Sequence, residues 1–194
     1  MGGGACEPGP PPMRVIAGSA KGRRLEVPKN WDGRPTLDRV REALFNILSP
    51  RLPGGRFLDL FAGTGANGIE ALSRGAHHCT FVDHSPAAIA AITHNIECMG
   101  LHARAVCLRL ALPDQLDRLN VPDAPDYNMI FADPPHNFDA YNTLVARIQE
   151  CGLLAEEGIV IVEHAVGLSL DAAIGALRCW RRATYGRTCL SFFS

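Results

Sequence analysis

Apolar positions along this chain follow two rhythms. Short continuous apolar runs at Phe57 to Phe61, Cys79 to Val82, Ala105 to Leu110, Tyr127 to Ala132 and Ile159 to Glu163 read as strands buried on both faces. Segments with helical spacing lie between them: a helix through Ile69, Ala71 and Leu72 to Arg74, another from Pro86 to about Met99 with Gly100 as its stop, and a third over Tyr141 to Glu150. Upstream, Val40, Ala43, Leu44, Ile47 and Leu48 share one helical face, which predicts a helix from about Leu37 to Leu48 capped by Thr36. Asp38, Arg39, Arg41 and Glu42 fall on or near its other face. Leu170 to Leu177 predicts a short helix. Arg178 to Tyr185 and Thr188 to Phe193 read as an antiparallel hairpin about Gly186, and Arg14 to Ile16 with Arg24 to Val27 as a small basic one.

This alternation predicts an α/β fold: a doubly wound, mostly parallel seven-stranded sheet of Rossmann-like type, ending in an antiparallel hairpin and preceded by a small N-terminal hairpin and helix. Ligands in such sheets sit at the C-terminal ends of the strands. A chain of 194 residues, 47% hydrophobic, can bury one substantial core. Three parts follow: residues 1–12, a glycine and proline tail expected to be disordered; residues 13–52, a basic extension; and residues 53–194, the main domain.

The formal net charge of −1 conceals an asymmetry, because Met13 to Arg56 holds ten Lys and Arg against four Asp and Glu, a balance of +6, and the rest sums to −7. A basic segment on an acidic body suggests a polyanionic partner met on one side. The seven cysteines are scattered and never form C-x-x-C, which signals neither a disulfide framework nor a zinc site. His77 and His78 beside Cys79 come nearest to a metal cluster, but adjacent residues on a strand point to opposite faces, so no metal is expected. No apolar run approaches the roughly 20 residues of a membrane span. The first residues lack the charged start and apolar core of a secretory signal, and a cytoplasmic protein is expected.

Candidate chemistry gathers at three strand ends. Gly63-Thr64-Gly65-Ala66-Asn67-Gly68 matches G-x-G-x-x-G between a strand and a helix, which by itself fits a dinucleotide enzyme as well as a methyltransferase. Asp59, inside the preceding strand, serves a cationic cofactor better than a pyrophosphate, either by holding the loop amides or by reaching an amino group through water. Asp83 ends the next strand, where a carboxylate can chelate two ribose hydroxyls, and His84 adjoins it. At the fourth strand, Asp133-Pro134-Pro135-His136 places a carboxylate beside carbonyls that the prolines hold rigid, a pair of acceptors suited to orienting an exocyclic amino group. The three together point to S-adenosylmethionine and methyl transfer to an amino nitrogen.

With those residues the chain resembles the RsmD family of bacterial methyltransferases, which modify the N2 amino group of one guanine in 16S ribosomal RNA. The resemblance runs through MRVIAGSAKGRRLEVP, RPTLDRVREALFNIL, FLDLFAGTGANGIEALSRGA, FADPPH, GIVIVEH and YGRTCLSFF. It implies a class I methyltransferase that uses S-adenosylmethionine, with Asp59, Gly63, Thr64, Gly65, Gly68, Asp83 and His84 at the cofactor and Asp133, Pro134, Pro135 and His136 at the target amino group. His136 and Phe138 would stack on a flipped base. Arg14, Lys21, Arg23, Arg24, Arg34 and Arg39 would hold RNA phosphates, and Arg187 could add another. The implied partner is 16S ribosomal RNA, within a small-subunit particle, met by a monomer.

Three positions depart from the family pattern: His136 replaces an aromatic Tyr or Phe, Leu110 an Asp expected to hold the adenine amino group, and Asn67 a leucine. Asp114 is a candidate stand-in for that acid. His164 is assigned a structural or substrate-side role. Two alternatives stay open: an adenine-N6 methyltransferase acting on DNA or RNA, and an RNA-binding assembly factor with a weakened catalytic site. A dinucleotide oxidoreductase leaves Asp59 and Asp133-Pro134-Pro135 unexplained.

Overall fold

The computed structural model describes residues 13–28, 38–120, 126–168 and 170–194. The expected tail at 1–12, the Thr36 cap and Arg34 lie outside the described residues.

In chain order the elements are α1 (Asp38–Leu48), β1 (Arg56–Leu60), α2 (Ala66–Ser73), β2 (His78–Asp83), α3 (Pro86–Cys98), β3 (Ala105–Arg109), β4 (Tyr127–Ala132), α4 (Tyr141–Glu150), β5 (Leu154–Ala165), β6 (Ala173–Ile174), β7 (Leu177–Tyr185) and β8 (Thr188–Phe193). The strands form one sheet in the order β3-β2-β1-β4-β5-β8-β7-β6. From β3 to β5 neighbours run parallel, and from β5 onward antiparallel. The order in which strands are added reverses between β1 and β4, the switch point at which doubly wound sheets open a ligand crevice.

Helices cover both faces. On one, α1, α2 and α3 bury Val40, Leu44, Phe45, Ile69, Leu72, Ile92 and Ile96 against Phe57, Phe81, Met129, Phe131 and Phe192. On the other, α4 buries Leu144, Val145 and Ile148 against Leu58, Ile130, Val160 and Phe193. Apolar side chains thus project from both sides of each central strand, which is why those runs read as continuous rather than alternating.

Four expectations need correcting. Among the described residues the sheet has eight strands rather than seven, the extra one being β6. The helix expected over Leu170 to Leu177 is absent: Ile174 and Leu177 pair as strand residues across Gly175, whose φ of +60° no right-handed helix accepts. The basic N-terminal hairpin forms but is shorter than expected, with one bridge between Arg14 and Arg24, the Val15 amide on the Arg23 carbonyl and the Leu25 amide on that of Met13. The amides between and beyond go to side chains of the helices, Ile16 and Ala17 to Glu70, Ala20 to Ser73 and Glu26 to Asn95.

Arg41, expected on the polar side of α1, is fully buried. The buried stripe of α1 comprises Val40, Arg41, Leu44, Phe45 and Leu48, wide enough to take the guanidinium inside. There Arg41 Nη2 donates to Asp38 Oδ1 at 2.9 Å and to the Arg14 carbonyl. Burial lowers its pKa, opposed by the charges of Glu70 and Asp38.

Candidate active site

At the exit of β1 the chain turns tightly. Phe61 takes φ +59°, uncommon for a bulky residue, and Gly63 and Gly65 take +55° and +75°. Gly65 is the N-cap of α2 and supplies no side chain there. The loop is tied down by carboxylates. Asp59 Oδ2 accepts from the Gly68 amide at 2.9 Å, and Asp83 Oδ2 accepts from the Gly63 amide at 2.9 Å. Asp83 Oδ1 accepts from the Ser85 amide at 2.8 Å, and the Ser85 hydroxyl in turn caps α3. His84 is exposed, with Nδ1 3.4 Å from Asp83 Oδ1. Thr64 is buried, its carbonyl held by Asn95 Nδ2.

Gly68 serves packing. A Cβ there would lie 2.2 Å from Phe81 Cε1, so only glycine lets α2 lie this close to β2. Asp59 is 1% exposed, and its observed contact is with the loop amide. Burial pushes its carboxyl well above the usual carboxylate range, the Gly68 hydrogen bond opposes this, and the nearby charges of Asp133 and Asp83 add to it.

This chemistry fits S-adenosylmethionine better than a dinucleotide. A pyrophosphate needs free amides at a helix N-terminus, whereas here Asp83 and Asp59 occupy the Gly63 and Gly68 amides, and Asp83 and Asp133 make the crevice negative. A cationic sulfonium bearing an ammonium group suits that field.

At the exit of β4 the Asp133 amide lies 3.4 Å from the Leu60 carbonyl, which seats Asp133 beside the end of β1. Asp133 is half-buried and Pro134 buried, while Pro135 and His136 are exposed. The Pro135 carbonyl accepts from Phe138, closing the turn at 2.8 Å. Aromatic rings then line the crevice edge to edge: Phe61 to Phe138 at 5.4 Å, Phe138 to Tyr141 at 5.1 Å and Tyr141 to His164 at 6.3 Å. His164 is engaged at both nitrogens, Nε2 with the Ser191 hydroxyl at 2.8 Å and Nδ1 near the Ala165 carbonyl at 2.9 Å. Burial lowers its pKa.

Sequence reasoning passed over Glu163. Ala132 of β4 pairs with Val162 of β5, so Asp133 and Glu163 follow side by side at the same strand ends. Glu163 is buried, and together with Asp133 it raises the Tyr141 hydroxyl pKa, after burial itself. The signal was present in the sequence: Glu163 closes an apolar strand just as Asp133 does. Phe61 and Tyr141, the other parts of this wall, show in the sequence only as the end of a strand and the start of a helix.

The basic residues divide. Lys21, Arg24 and Arg39 are exposed. Arg14 is exposed with Nε 4.0 Å from Asp38, and the Arg23 guanidinium donates to the Cys98 carbonyl. This segment lies over α2 and α3, beside the glycine loop.

Residues 13–194 match the family model described as Conserved hypothetical protein 95. The chain belongs to the RsmD family. Over 181 residues it is 39% identical to YlbH of Bacillus subtilis, covering 93% of this chain and 98% of that protein. Over 154 residues it is 35% identical to the ribosomal RNA small subunit methyltransferase D of Escherichia coli, covering 79% and 75%. The solved structure of yhhF from Escherichia coli superposes with a TM-score of 0.80 at 31% identity, covering 93% and 96%. The fold is that of class I methyltransferases.

Of the positions expected from sequence to depart from the family pattern, Leu110 sits buried in the apolar cluster on the α4 face, its amide bonded to the Asp83 carbonyl. Asp114 is exposed, and Gln115 Oε1 takes the neighbouring Ala111 amide. Asn67 is buried, with an Oδ1 that has no hydrogen-bond partner among the described residues.

Proposed function

We propose that this RsmD-family protein is a ribosomal RNA methyltransferase that transfers the methyl group of S-adenosylmethionine to the N2 amino group of a guanine in 16S ribosomal RNA. The observation that carries this reading is the pairing of Asp133 and Glu163 at adjacent strand ends, next to a glycine loop whose amides are held by Asp59 and Asp83.

S-adenosylmethionine supplies an electrophilic methyl group on a sulfonium. Gly63, Thr64, Gly65 and Gly68 form its loop, Asp83 and His84 its ribose end, and Asp59 positions the loop from beneath. A guanine flipped from its stack, at a cost of a few kcal/mol, would lie against His136 and the Phe138 wall. Asp133 and the Pro134 carbonyl accept from its N2 amino group, aim the lone pair and stabilise positive charge developing on nitrogen. Guanine presents a second donor, N1–H, beside N2, and Glu163 is the acceptor placed for it. Adenine presents a lone pair at that edge, which a carboxylate repels, so the second acid favours guanine over adenine N6.

Arg14, Lys21, Arg23, Arg24, Arg34 and Arg39 would hold phosphates. The substrate proposed is RNA in a small-subunit particle, met in the cytoplasm by a single chain. Small subunits from cells lacking the protein test this directly. Incubated with enzyme and S-adenosylmethionine, they should gain N2-methylguanosine, and Glu163→Gln should lower kcat/KM while calorimetric cofactor affinity stays unchanged. N6-methyladenosine as the product, or no cofactor binding by the intact chain, would overturn the reading.

A further inference from the structure

The end of the chain carries a surface that the proposed reaction leaves unused. From Ala172 to Ser194 there are four arginines, Arg178, Arg181, Arg182 and Arg187, and no Asp or Glu. Residues 57–171 by contrast hold five arginines, no lysine and fifteen Asp and Glu. All four C-terminal arginines are exposed, and none is in an ion pair among the described residues. A cationic strip is thus fastened to an acidic body, on the opposite flank of the sheet from the basic N-terminal segment.

Trp180 stands within this strip, 50% exposed, its ring resting on Phe192 with centroids 5.5 Å apart. The register of β7 against β8 shifts between Cys179 and Arg181, a bulge that turns Trp180 and Arg181 outward together. β6 pairs only with Leu177 and Arg178, so among the described residues no strand covers the outer edge of β7, the one away from β8, from Trp180 to Tyr185. The Arg178 guanidinium donates to the Gly175 and Leu177 carbonyls, which leaves its charge without an acidic partner among the described residues. An exposed indole face beside guanidiniums that no carboxylate neutralises matches what RNA offers, a base to stack and phosphates beside it. An apolar peptide would be met by the wrong charge.

We propose that Trp180 with Arg178 and Arg181 forms a second RNA-binding surface, where an unpaired base stacks on the indole and adjacent phosphates meet the guanidiniums. The proposal rests on the reading of RNA as substrate. β7 lies three strands from β4, about 14 Å across the sheet, and Trp180 five residues, about 17 Å, along the strand from the turn at the crevice edge. A single nucleotide does not span that distance. The surface would therefore grip the substrate away from the target base and leave the methyl-transfer chemistry alone.

The protein has two tryptophans, so Trp31→Phe leaves Trp180 as the sole indole reporter. Oligouridylate should quench its fluorescence in a salt-sensitive way, and dextran sulfate, a polyanion without bases, should not. On small-subunit particles Arg181→Glu should weaken binding about tenfold and lower the slope of log affinity against log salt by about one. Trp180→Ala should weaken binding and Trp180→Phe restore it, with melting temperatures confirming that each variant is folded and cofactor affinity unchanged. A Trp180 signal indifferent to oligouridylate, or variants that bind particles as the parent does, overturns the proposal. Weakened particle binding with a silent Trp180 also overturns it, because the surface would then meet a protein. Particles bound through this surface but left unmethylated would refute the methyltransferase reading alone.

Discussion

Glu70 is the least expected polar residue in the structure and the one on which the N-terminal segment most depends. Its side chain is fully buried. Oε2 accepts from the Ile16 amide at 2.7 Å, and Oε1 accepts from the Ala17 amide at 2.9 Å and from Arg74 Nε at 2.7 Å. Glu70→Ala leaves all three donors without their acceptor and removes the negative charge facing buried Arg41. A hydrogen bond to a charged group contributes about 1.5–3 kcal/mol net, and water entering the vacated space recovers part of it, so the expected loss is about 4 kcal/mol. At about 2–4 °C per kcal/mol for a chain of this size, the melting temperature should fall by roughly 10 °C. Glu70→Gln keeps one acceptor oxygen and should cost about half as much.

Urea unfolding measures the stability, and trypsin measures the release of the segment, since Lys21, Arg23 and Arg24 are its cleavage points. The variant should be cut there faster than the parent under native conditions. Because those residues are also proposed phosphate contacts, particle affinity should fall while cofactor affinity holds. A Glu70→Ala protein within about 1 kcal/mol of the parent, with unchanged cleavage, would refute the idea that this carboxylate anchors the segment.

Three further outcomes are expected. The folded-state pKa of Asp59 lies above its unfolded value, so its contribution to stability is complete below the ordinary carboxylate range and is lost as pH rises toward the raised folded value. Asp59→Asn keeps an acceptor for Gly68 and should gain on the parent in melting temperature from pH 4 to pH 8; parallel curves would sink the argument. Gly68→Ala forces a methyl against Phe81 and should cost about 1–3 kcal/mol in urea with weakened cofactor binding, whereas parent-like stability would mean that α2 can lift away from β2. Leu110→Asp puts a carboxylate into a buried apolar cluster and should lose about 2 kcal/mol or more. Unchanged stability would show that this position opens to the cofactor crevice instead.

The central strands and their helices were legible because burial on both faces writes an unbroken apolar run, and a run such as Tyr127 to Ala132 has no competing helical reading. Ser85, Pro86 and Gly100 mark the ends of α3 by capping chemistry that acts within a few residues. Residues settled by distant partners were not legible. Arg41 looks like surface in a helical wheel, and only the carboxylates of Asp38 and Glu70 make its burial tolerable. The N-terminal arms pair with each other as expected, but Glu70, Ser73 and Asn95 reach across from elsewhere in the chain and take the amides of Ile16, Ala17, Ala20 and Glu26, which the sequence does not show. Glu163 needed the register of β5 against β4 before it could be set beside Asp133.

That register exposes a tension in the site. Asp83, Asp133 and Glu163 gather at the ends of β2, β4 and β5, and their field repels the phosphates of any RNA that approaches. What the crevice attracts is a sulfonium and the donor edge of a base. Phosphate binding must then be carried by separate ground, and the two basic stretches lie on opposite flanks of the sheet, the N-terminal segment over α2 and α3 and the β7–β8 hairpin beyond β5. Screening acts differently on the two tasks, because exposed arginine contacts to phosphate weaken steeply with salt and a half-buried crevice does so much less. Raising salt from 50 mM to 300 mM should therefore raise the KM for small-subunit particles many-fold while cofactor affinity changes little. An equal loss of both would mean that RNA is held inside the acidic crevice itself.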